Sequence, residues 1–221
     1  MSAQKVQEGT VPFNIAGINS ACHTWFKIVG EIKNAIPLIM LHGGPGAGHA
    51  DLSTLAPSLE RDGIPVICYD QVGCGRSSRI REKANNAEFW SFDLFCVELD
   101  NLVDHFGLRE SGFSIHGHSW GGMLASTYAA RQPRGLRRLI ISCSPASAAI
   151  YASEAERLFK ALPEVNEDVM KMDADGKFDA PEYREACSAF IKRHFCRLEP
   201  WPEVINECGK CFEDSTMFNL M

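Results

Sequence analysis

The sequence predicts an α/β fold, a mainly parallel sheet flanked by helices, with a helical segment after it. Three observations predict it. Short apolar runs at residues 37–41, 65–69 and 139–143, with another around Phe113 and Ile115, have the length of buried strands. Helical patterns lie between them, and strands alternating with helices are the signature of a parallel sheet. Finally, a G-x-S-x-G pentapeptide, Gly117-His118-Ser119-Trp120-Gly121, stands between the Phe113/Ile115 run and a small-residue helix over 122–131.

Taken in order, residues 11–30 read as two strands joined by a turn at Gly17-Ile18-Asn19. The run at 37–41 is a short buried strand. Residues 51–60 read as one helix, with Leu52, Leu55 and Leu59 on one face and Asp51 near its N-terminus. Residues 65–69 form the next buried strand. Over 88–106, Phe92, Phe95, Leu99, Leu102 and Phe106 recur at helical spacing and predict a strongly amphipathic helix. The strand before Ser119, its helix and the strand at 139–143 follow. From 149 to 212 the pattern gives helices only, at 152–161, 165–172, 181–197 and 202–212. Asp173-Ala174-Asp175-Gly176 breaks two of them, and its acidic spacing and early glycine do not fit an EF-hand loop. The expected organisation is a core over 11–146 and a helical cap over 147–221, with no internal repeats.

At 221 residues the chain is long enough for one substantial core, or a core and a small second unit. Its composition, 45% apolar and 23% charged, is that of a globular protein, and a net charge of -6 does not suggest a nucleic-acid partner. The first ten residues are polar, and no apolar run approaches bilayer length. No membrane association is expected, and the expected compartment is the cytoplasm. The nine cysteines are read as reduced thiols, mostly buried, with Cys68 and Cys143 inside strands. Cys208 and Cys211 form a C-x-x-C with His194 and Cys196 upstream, but that spacing matches no common zinc site. Neither a metal nor a cofactor is expected.

The pentapeptide has the context of a nucleophile elbow: a strand, a sharp turn that lifts one hydroxyl, then a helix whose free N–H groups face the site. Ser119 is the candidate nucleophile. Leu41-His42-Gly43-Gly44-Pro45-Gly46 follows a predicted strand and precedes the elbow in the chain. Acyl transfer needs two N–H donors for the tetrahedral oxyanion, usually one from such a loop and one from the residue after the nucleophile. Those are Gly44 and Trp120. A phosphate-binding loop is excluded because no Gly-Lys-Ser/Thr follows. Asp70-Gln71-Val72-Gly73-Cys74-Gly75-Arg76-Ser77 carries two glycines of a dinucleotide loop, but Ser78 stands where the third belongs. It reads as a turn shaping the floor of the site, with Asp70 a structural hydrogen-bond acceptor.

Together, His42-Gly43-Gly44-Pro45-Gly46, Asp70-Gln71-x-Gly73-x-Gly75-x-Ser77 and Gly117-His118-Ser119-Trp120-Gly121-Gly122 resemble the proline iminopeptidase family of α/β-hydrolases. The 183–198 segment, with Arg193-His194-x-Cys196-Arg197, resembles its fungal-type members. The resemblance implies an α/β-hydrolase fold with a helical cap and release of an N-terminal residue, often proline, from small peptides or amino-acid amides. It gives Ser119 the nucleophile role and Gly44 and Trp120 the oxyanion roles.

The chain departs from the family where acid and base are due, on loops after the cap. Of its seven histidines, 23, 42, 49, 105, 116, 118 and 194, only His194 follows Ser119, inside a predicted cap helix. The 144–148 segment offers no carboxylate. The sequence therefore reads as core and cap lacking the C-terminal strands, either part of a longer protein or a shortened gene product. The 139–143 strand is expected to be an exposed apolar edge, and the polypeptide alone is expected to be poorly soluble or inactive as a peptidase. Two other functions fit the same residues. One is a capped esterase, lactonase or amidase acting on a small metabolite. The other is a catalytically dead, binding or regulatory remnant. An aminopeptidase needs carboxylates to pair with the substrate ammonium, and Glu199, Glu203, Glu207 and Glu213 are available but read as a solvated face. Dehalogenase and epoxide-hydrolase chemistry would put a carboxylate at position 119.

Overall fold

A computed structural model describes residues 5–216. Six strands form one sheet: β1 (Val6–Phe13), β2 (Cys22–Val29), β3 (Leu38–Leu41), β4 (Val66–Asp70), β5 (Phe113–His118) and β6 (Leu136–Ser142). Their order across the sheet is β1-β2-β4-β3-β5-β6. The pairs β1/β2 and β2/β4 are antiparallel, and β4/β3, β3/β5 and β5/β6 are parallel.

Strand alternation builds the core on both faces. Ile39, Leu41, Ile67, Tyr69, Phe113 and Ile115 point into the larger cluster, while Leu38, Met40, Val66 and Cys68 point into a smaller one on the opposite side. The smaller cluster is covered by α1 (Ala50–Ser53) and α2 (Ala56–Arg61) through Leu52, Ala56 and Leu59. The larger is covered by α3 (Phe92–His105) and α5 (Trp120–Ala130), which contribute Phe95, Leu99, Leu102, Trp120, Leu124 and Tyr128; the short α4 (Leu108–Ser111) lies between them in the chain. The helices divide this way because crossovers are right-handed. The step from β3 to β4 runs one way along the sheet, and the steps from β4 to β5 and from β5 to β6 run the other.

The structure refines several sequence readings. The 51–60 helix is two short helices. Pro57 lies in the first turn of α2 and has no N–H to continue a ladder. The preceding bonds tighten, Thr54 N–H to Asp51 O and Leu55 N–H to Leu52 O, and Leu55 is left exposed. The 88–106 helix starts at Phe92, where Ser91 caps it by accepting from Leu94 N–H. Cys143 is not buried in a strand. It is exposed just past β6 with φ of 49°. All nine cysteines are free thiols.

The chain groups into two compact units, one of residues up to Ser144 together with those from Val204 on, the other Pro145–Glu203. The second consists of α6 (Ala148–Lys160), α7 (Glu167–Ala174) and α8 (Pro181–His194). Ser147 and Asn166 cap the first two, and Phe159, Tyr183 and Phe190 meet in an aromatic cluster. Helix α9 (Glu203–Glu213) belongs from Val204 on to the first unit. There Cys208 and Phe212 pack with Ala47 and Ala50, and Asp214 pairs with Arg79 and Arg81. Among the described residues no helix is long and apolar enough to cross a membrane.

Helix α3 also carries a buried carboxyl, that of Glu98. Its Oε1 accepts from Thr24 Oγ1 (2.5 Å) and from Val72 N–H (2.8 Å), while Oε2 and the nearby buried Tyr69 hydroxyl have no partner among the described residues. Burial pushes this carboxyl from 4.5 up to about 8. The folded state thus holds a proton that the unfolded chain releases above its ordinary carboxylate range. The stabilisation is complete below that range and is lost as pH rises through the folded value.

Denaturant titrations are therefore expected to show stability falling from about pH 5 to about pH 8, by up to about 1.4 kcal/mol per pH unit. Glu98→Gln keeps the acceptor oxygen without a titrating proton and is expected to flatten that slope; an unchanged slope would remove Glu98 as its source. Strand β6 is an edge strand whose Leu139, Ile140 and Ile141 are all exposed. Ile140→Lys is expected to reduce light scattering on concentration or warming while shifting stability by no more than about 0.5 kcal/mol.

Candidate active site

The order of the strands reverses at β3, which is flanked by β4 on one side and β5 on the other. In open α/β sheets the crevice beyond the strand C-termini at such a point is where ligands bind. Three loops meet there: 42–48 after β3, 71–79 after β4, and the turn at Ser119 after β5.

Ser119 alone makes the turn, since His118 ends β5 and Trp120 begins α5. Its φ and ψ are 53° and -119°, a conformation that costs a residue with a side chain about 1–3 kcal/mol and persists only where the surroundings impose it. They do so by hydrogen bonds and by contact. Ser119 N–H donates to Ser142 O (2.9 Å), and Ser119 O accepts from Gly122 N–H (2.9 Å) and Met123 N–H (3.3 Å). The three surrounding glycines leave no room for a Cβ. One at Gly117 would lie 2.2 Å from Gly121 O, one at Gly121 2.1 Å from Leu41 O, and one at Gly122 2.5 Å from Ser144 Cβ. Helix α5 thus rests backbone to backbone on the ends of β3 and β5. The Ser119 hydroxyl, half-buried, makes no hydrogen bond among the described residues.

The glycine loop lies against it. A Cβ built on Gly43 would stand 3.2 Å from Ser119 Cβ. Gly44 is exposed at φ of 120°, and a Cβ there would strike Gly46 N at 2.5 Å. Neither the Gly44 nor the Trp120 backbone N–H is hydrogen-bonded among the described residues, so both donors stand free. The Trp120 ring is buried, stacked on Phe92 (4.5 Å, 21°) and edge-on to Phe95 (6.0 Å, 83°), which ties the elbow to α3.

Beneath the loops runs a buried polar network. His42 accepts at Nε2 from Gln71 N–H (3.0 Å), so Nδ1 carries the proton and donates to Gly43 O (2.9 Å). Burial holds this imidazole below its ordinary range, in keeping with a neutral ring. Asp70 Oδ1 accepts from His49 N–H and from the His49 ring, each at 2.8 Å, and Oδ2 accepts from Arg76 N–H (2.7 Å). Burial opposes ionisation there, but the hydrogen bonds and the charge of His49 hold the carboxyl below the usual carboxylate range. The carboxyl fills the space in front of Gly75, where a Cβ would come within 2.2 Å of Oδ2. Asp70 thus acts on the loops around it, as a structural acceptor does.

The other histidines of this unit are engaged elsewhere. His116 Nε2 (2.8 Å) and His118 Nδ1 (3.2 Å) both meet Ser142 Oγ. His23 contacts Ser78 and Arg76 O, and His105 is exposed at the end of α3 against Phe106. In the second unit, His194 is exposed at the end of α8 beside Phe190. Glu199, Glu203, Glu207 and Glu213 are exposed. Among the described residues no cluster of His, Cys, Asp and Glu has the makings of a metal site.

Gln71 and Glu98 were not singled out by the sequence. For Glu98 a signal existed: position 98 lies three residues after Phe95 and four before Leu102, on the apolar face of α3. For Gln71 the signal was its place after a strand, within the Asp70-Gln71-x-Gly73-x-Gly75-x-Ser77 motif, which does not tell what its side chain meets.

Residues 36–173 match the alpha/beta hydrolase fold family. A proline iminopeptidase of Lactobacillus helveticus strain DPC 4571 is 34% identical over 204 residues, 91% of this chain and 66% of that protein. That of Lactobacillus crispatus strain ST1 is 33% identical over 210 residues, 93% of this chain and 68% of that protein. Among solved structures, VinJ has 38% identity and a TM-score of 0.85, covering 96% of this chain and 69% of its own. The proline iminopeptidase of Mycobacterium smegmatis has 34% identity and a TM-score of 0.83, with 96% and 70% covered. The chain spans about two-thirds, or less, of the length of the curated relatives it matches.

Gly121→Ala is expected to destabilise the first unit by at least about 3 kcal/mol or to prevent folding, because its Cβ would strike the Leu41 and His42 backbone carbonyls. Gly209→Ala is the control: it lies on α9 with open space around it. It is expected to raise stability by about 0.5–1 kcal/mol. Thermal and denaturant melts of both variants check this, and a Gly121→Ala protein as stable as the parent would contradict the close packing.

Proposed function

The chain belongs to the α/β-hydrolase fold family, in its proline iminopeptidase branch, and on that premise we propose that it carries the nucleophile and oxyanion-stabilising half of a serine hydrolase. The substrate class is a small peptide or amino-acid amide with a free N-terminal residue, often proline. Ser119 Oγ attacks the carbonyl carbon of that residue. The carbonyl oxygen becomes an oxyanion that accepts hydrogen bonds from Gly44 and Trp120 N–H. Its collapse expels the amine, which takes up the proton that the Ser119 hydroxyl gives up on attack, and leaves an acyl-enzyme that water hydrolyses to the free acid and Ser119.

One observation carries the reading. Ser119 is held in an unfavourable turn against the Gly43 backbone, with two unpaired N–H donors on the two loops beside it. Fixed, unpaired donors in a partly desolvated site are what a developing negative charge needs, and one such donor is worth about 10²–10³ in rate.

The general base is assigned to no histidine of the first unit, since among the described residues none hydrogen-bonds the Ser119 hydroxyl and each has other partners. A serine hydroxyl without a paired base is a weak nucleophile. The same observation favours a second reading, in which this polypeptide binds at the site without turning substrate over.

A fluorophosphonate probe is expected to label a polypeptide of residues 1–221 slowly at Ser119, and Ser119→Ala to abolish the labelling. No labelling after prolonged exposure would remove Ser119 as a nucleophile and leave the binding reading. Turnover of proline-naphthylamide by the same polypeptide is expected to fall several orders of magnitude, about 10³-fold or more, below that of an intact triad enzyme. Rapid turnover lost in Ser119→Ala would show that a base is present after all. Comparing an amino-acid amide with its N-acetylated form separates an aminopeptidase from an esterase-like or amidase-like enzyme.

A further inference from the structure

The buried Gln71 side chain spans the two loops that flank Ser119. Its Nε2 donates to His42 O at 3.2 Å, at the root of the glycine loop. Its Oε1 accepts the indole N–H of Trp120 at 3.1 Å, on the residue after the elbow serine. Its backbone N–H donates to the His42 ring at 3.0 Å, so residue 71 holds His42 at two points and Trp120 at a third. The flanking residues are themselves fixed, Val72 N–H on the Glu98 carboxyl and Asp70 by His49 and Arg76.

We infer that Gln71 is a positioning residue that sets the spacing between the 42–46 loop and the Ser119 elbow, and with it the distance between the Gly44 and Trp120 N–H groups. This rests on the proposed function only in giving those N–H groups a task. The clamp itself stands on the hydrogen bonds.

The chemistry of the side chain supports the assignment. A primary amide donates at one end and accepts at the other. Burying it is favourable only when both ends are paired, so the site is stable only at the spacing where both bonds close. An ionised glutamate offers Trp120 an acceptor but repels the His42 carbonyl. A methionine of similar volume engages neither. Two loops from different strands are thereby held at one separation without any contact from the substrate.

The test follows each end of the clamp by ¹⁵N NMR and hydrogen exchange in the full 221-residue chain, comparing parent, Gln71→Met and Gln71→Glu. The reporters are the Trp120 indole N–H and the Ala47 amide, which donates to Gly43 O at 3.2 Å within the glycine loop. In Gln71→Met both reporters are expected to exchange about tenfold faster while the β1–β2 amides keep parental rates. In Gln71→Glu the indole signal is expected to stay near its parental shift while the Ala47 amide loosens. If Gln71→Glu does not fold, Gln71→Met decides alone. Ala47 exchange unchanged in Gln71→Met, or acceleration spread evenly over the whole unit, would overturn the clamp. Fluorophosphonate labelling of Ser119 then separates the two claims. A rate about tenfold lower in Gln71→Met supports positioning, and a parental rate overturns it. If the parent is not labelled at all, the nucleophile reading fails, and the exchange pattern still decides whether Gln71 couples the loops.

Discussion

The site depends on how closely one helix approaches the ends of two strands. Helix α5 meets the Leu41 carbonyl and the Gly117 backbone at distances that exclude any side chain at positions 117 and 121, and the Ser144 side chain excludes one at 122. With the helix pressed that far in, the chain has one residue in which to turn from strand to helix. That residue is forced into a backbone conformation normally left to glycine. The Cβ of a serine there stands close to the Gly43 backbone of the loop after β3. The strain at Ser119 is thus a by-product of close packing, balanced by aromatic contacts of Trp120 and by backbone hydrogen bonds on both sides of the turn.

Close packing alone would not align three loops from three strands. That falls to buried polar groups, each of which would be unfavourable if unpaired. His42 is kept neutral and spends both ring nitrogens within its own loop and the next. The Asp70 carboxylate gathers N–H groups from residues 49 and 76. Glu98 reaches up from α3 to Val72. Two carboxyls that hold the same loop are therefore pushed in opposite directions for a plain reason. Asp70 is met by several donors and a histidine, while Glu98 has two donors on one oxygen and, among the described residues, none on the other.

Much of this was legible in the chain. The parallel sheet followed from apolar runs of strand length, and the elbow from glycines flanking a serine between a strand and a helix. The Asp70 reading as a structural acceptor agrees with its hydrogen bonds. What was not legible depends on contacts between distant segments. The 51–60 pattern has helical spacing throughout, and only the ladder break before Pro57 divides it. Cys143 sits in an apolar run, yet β6 is a sheet edge and the residue past it is exposed. The strand β1 begins at Val6 because its register with β2 extends to Val29, although Val6, Gln7 and Glu8 are exposed and give no alternating apolar pattern. Gln71 stands in a motif of the sequence, but its role shows only when its two partners, 29 and 49 positions away, are brought to it.

The chain leaves the first unit after Ser144 and rejoins it at Val204. An excursion closed at both ends in this way is a cassette. The entropy of closing a loop grows only with the logarithm of its length, so doubling the insert adds only about 0.6 kcal/mol. Neither end falls on residues 42–46, 71 or 117–122. Across a lineage the helices between those two junctions can therefore lengthen, shorten or be exchanged while the elbow keeps its shape.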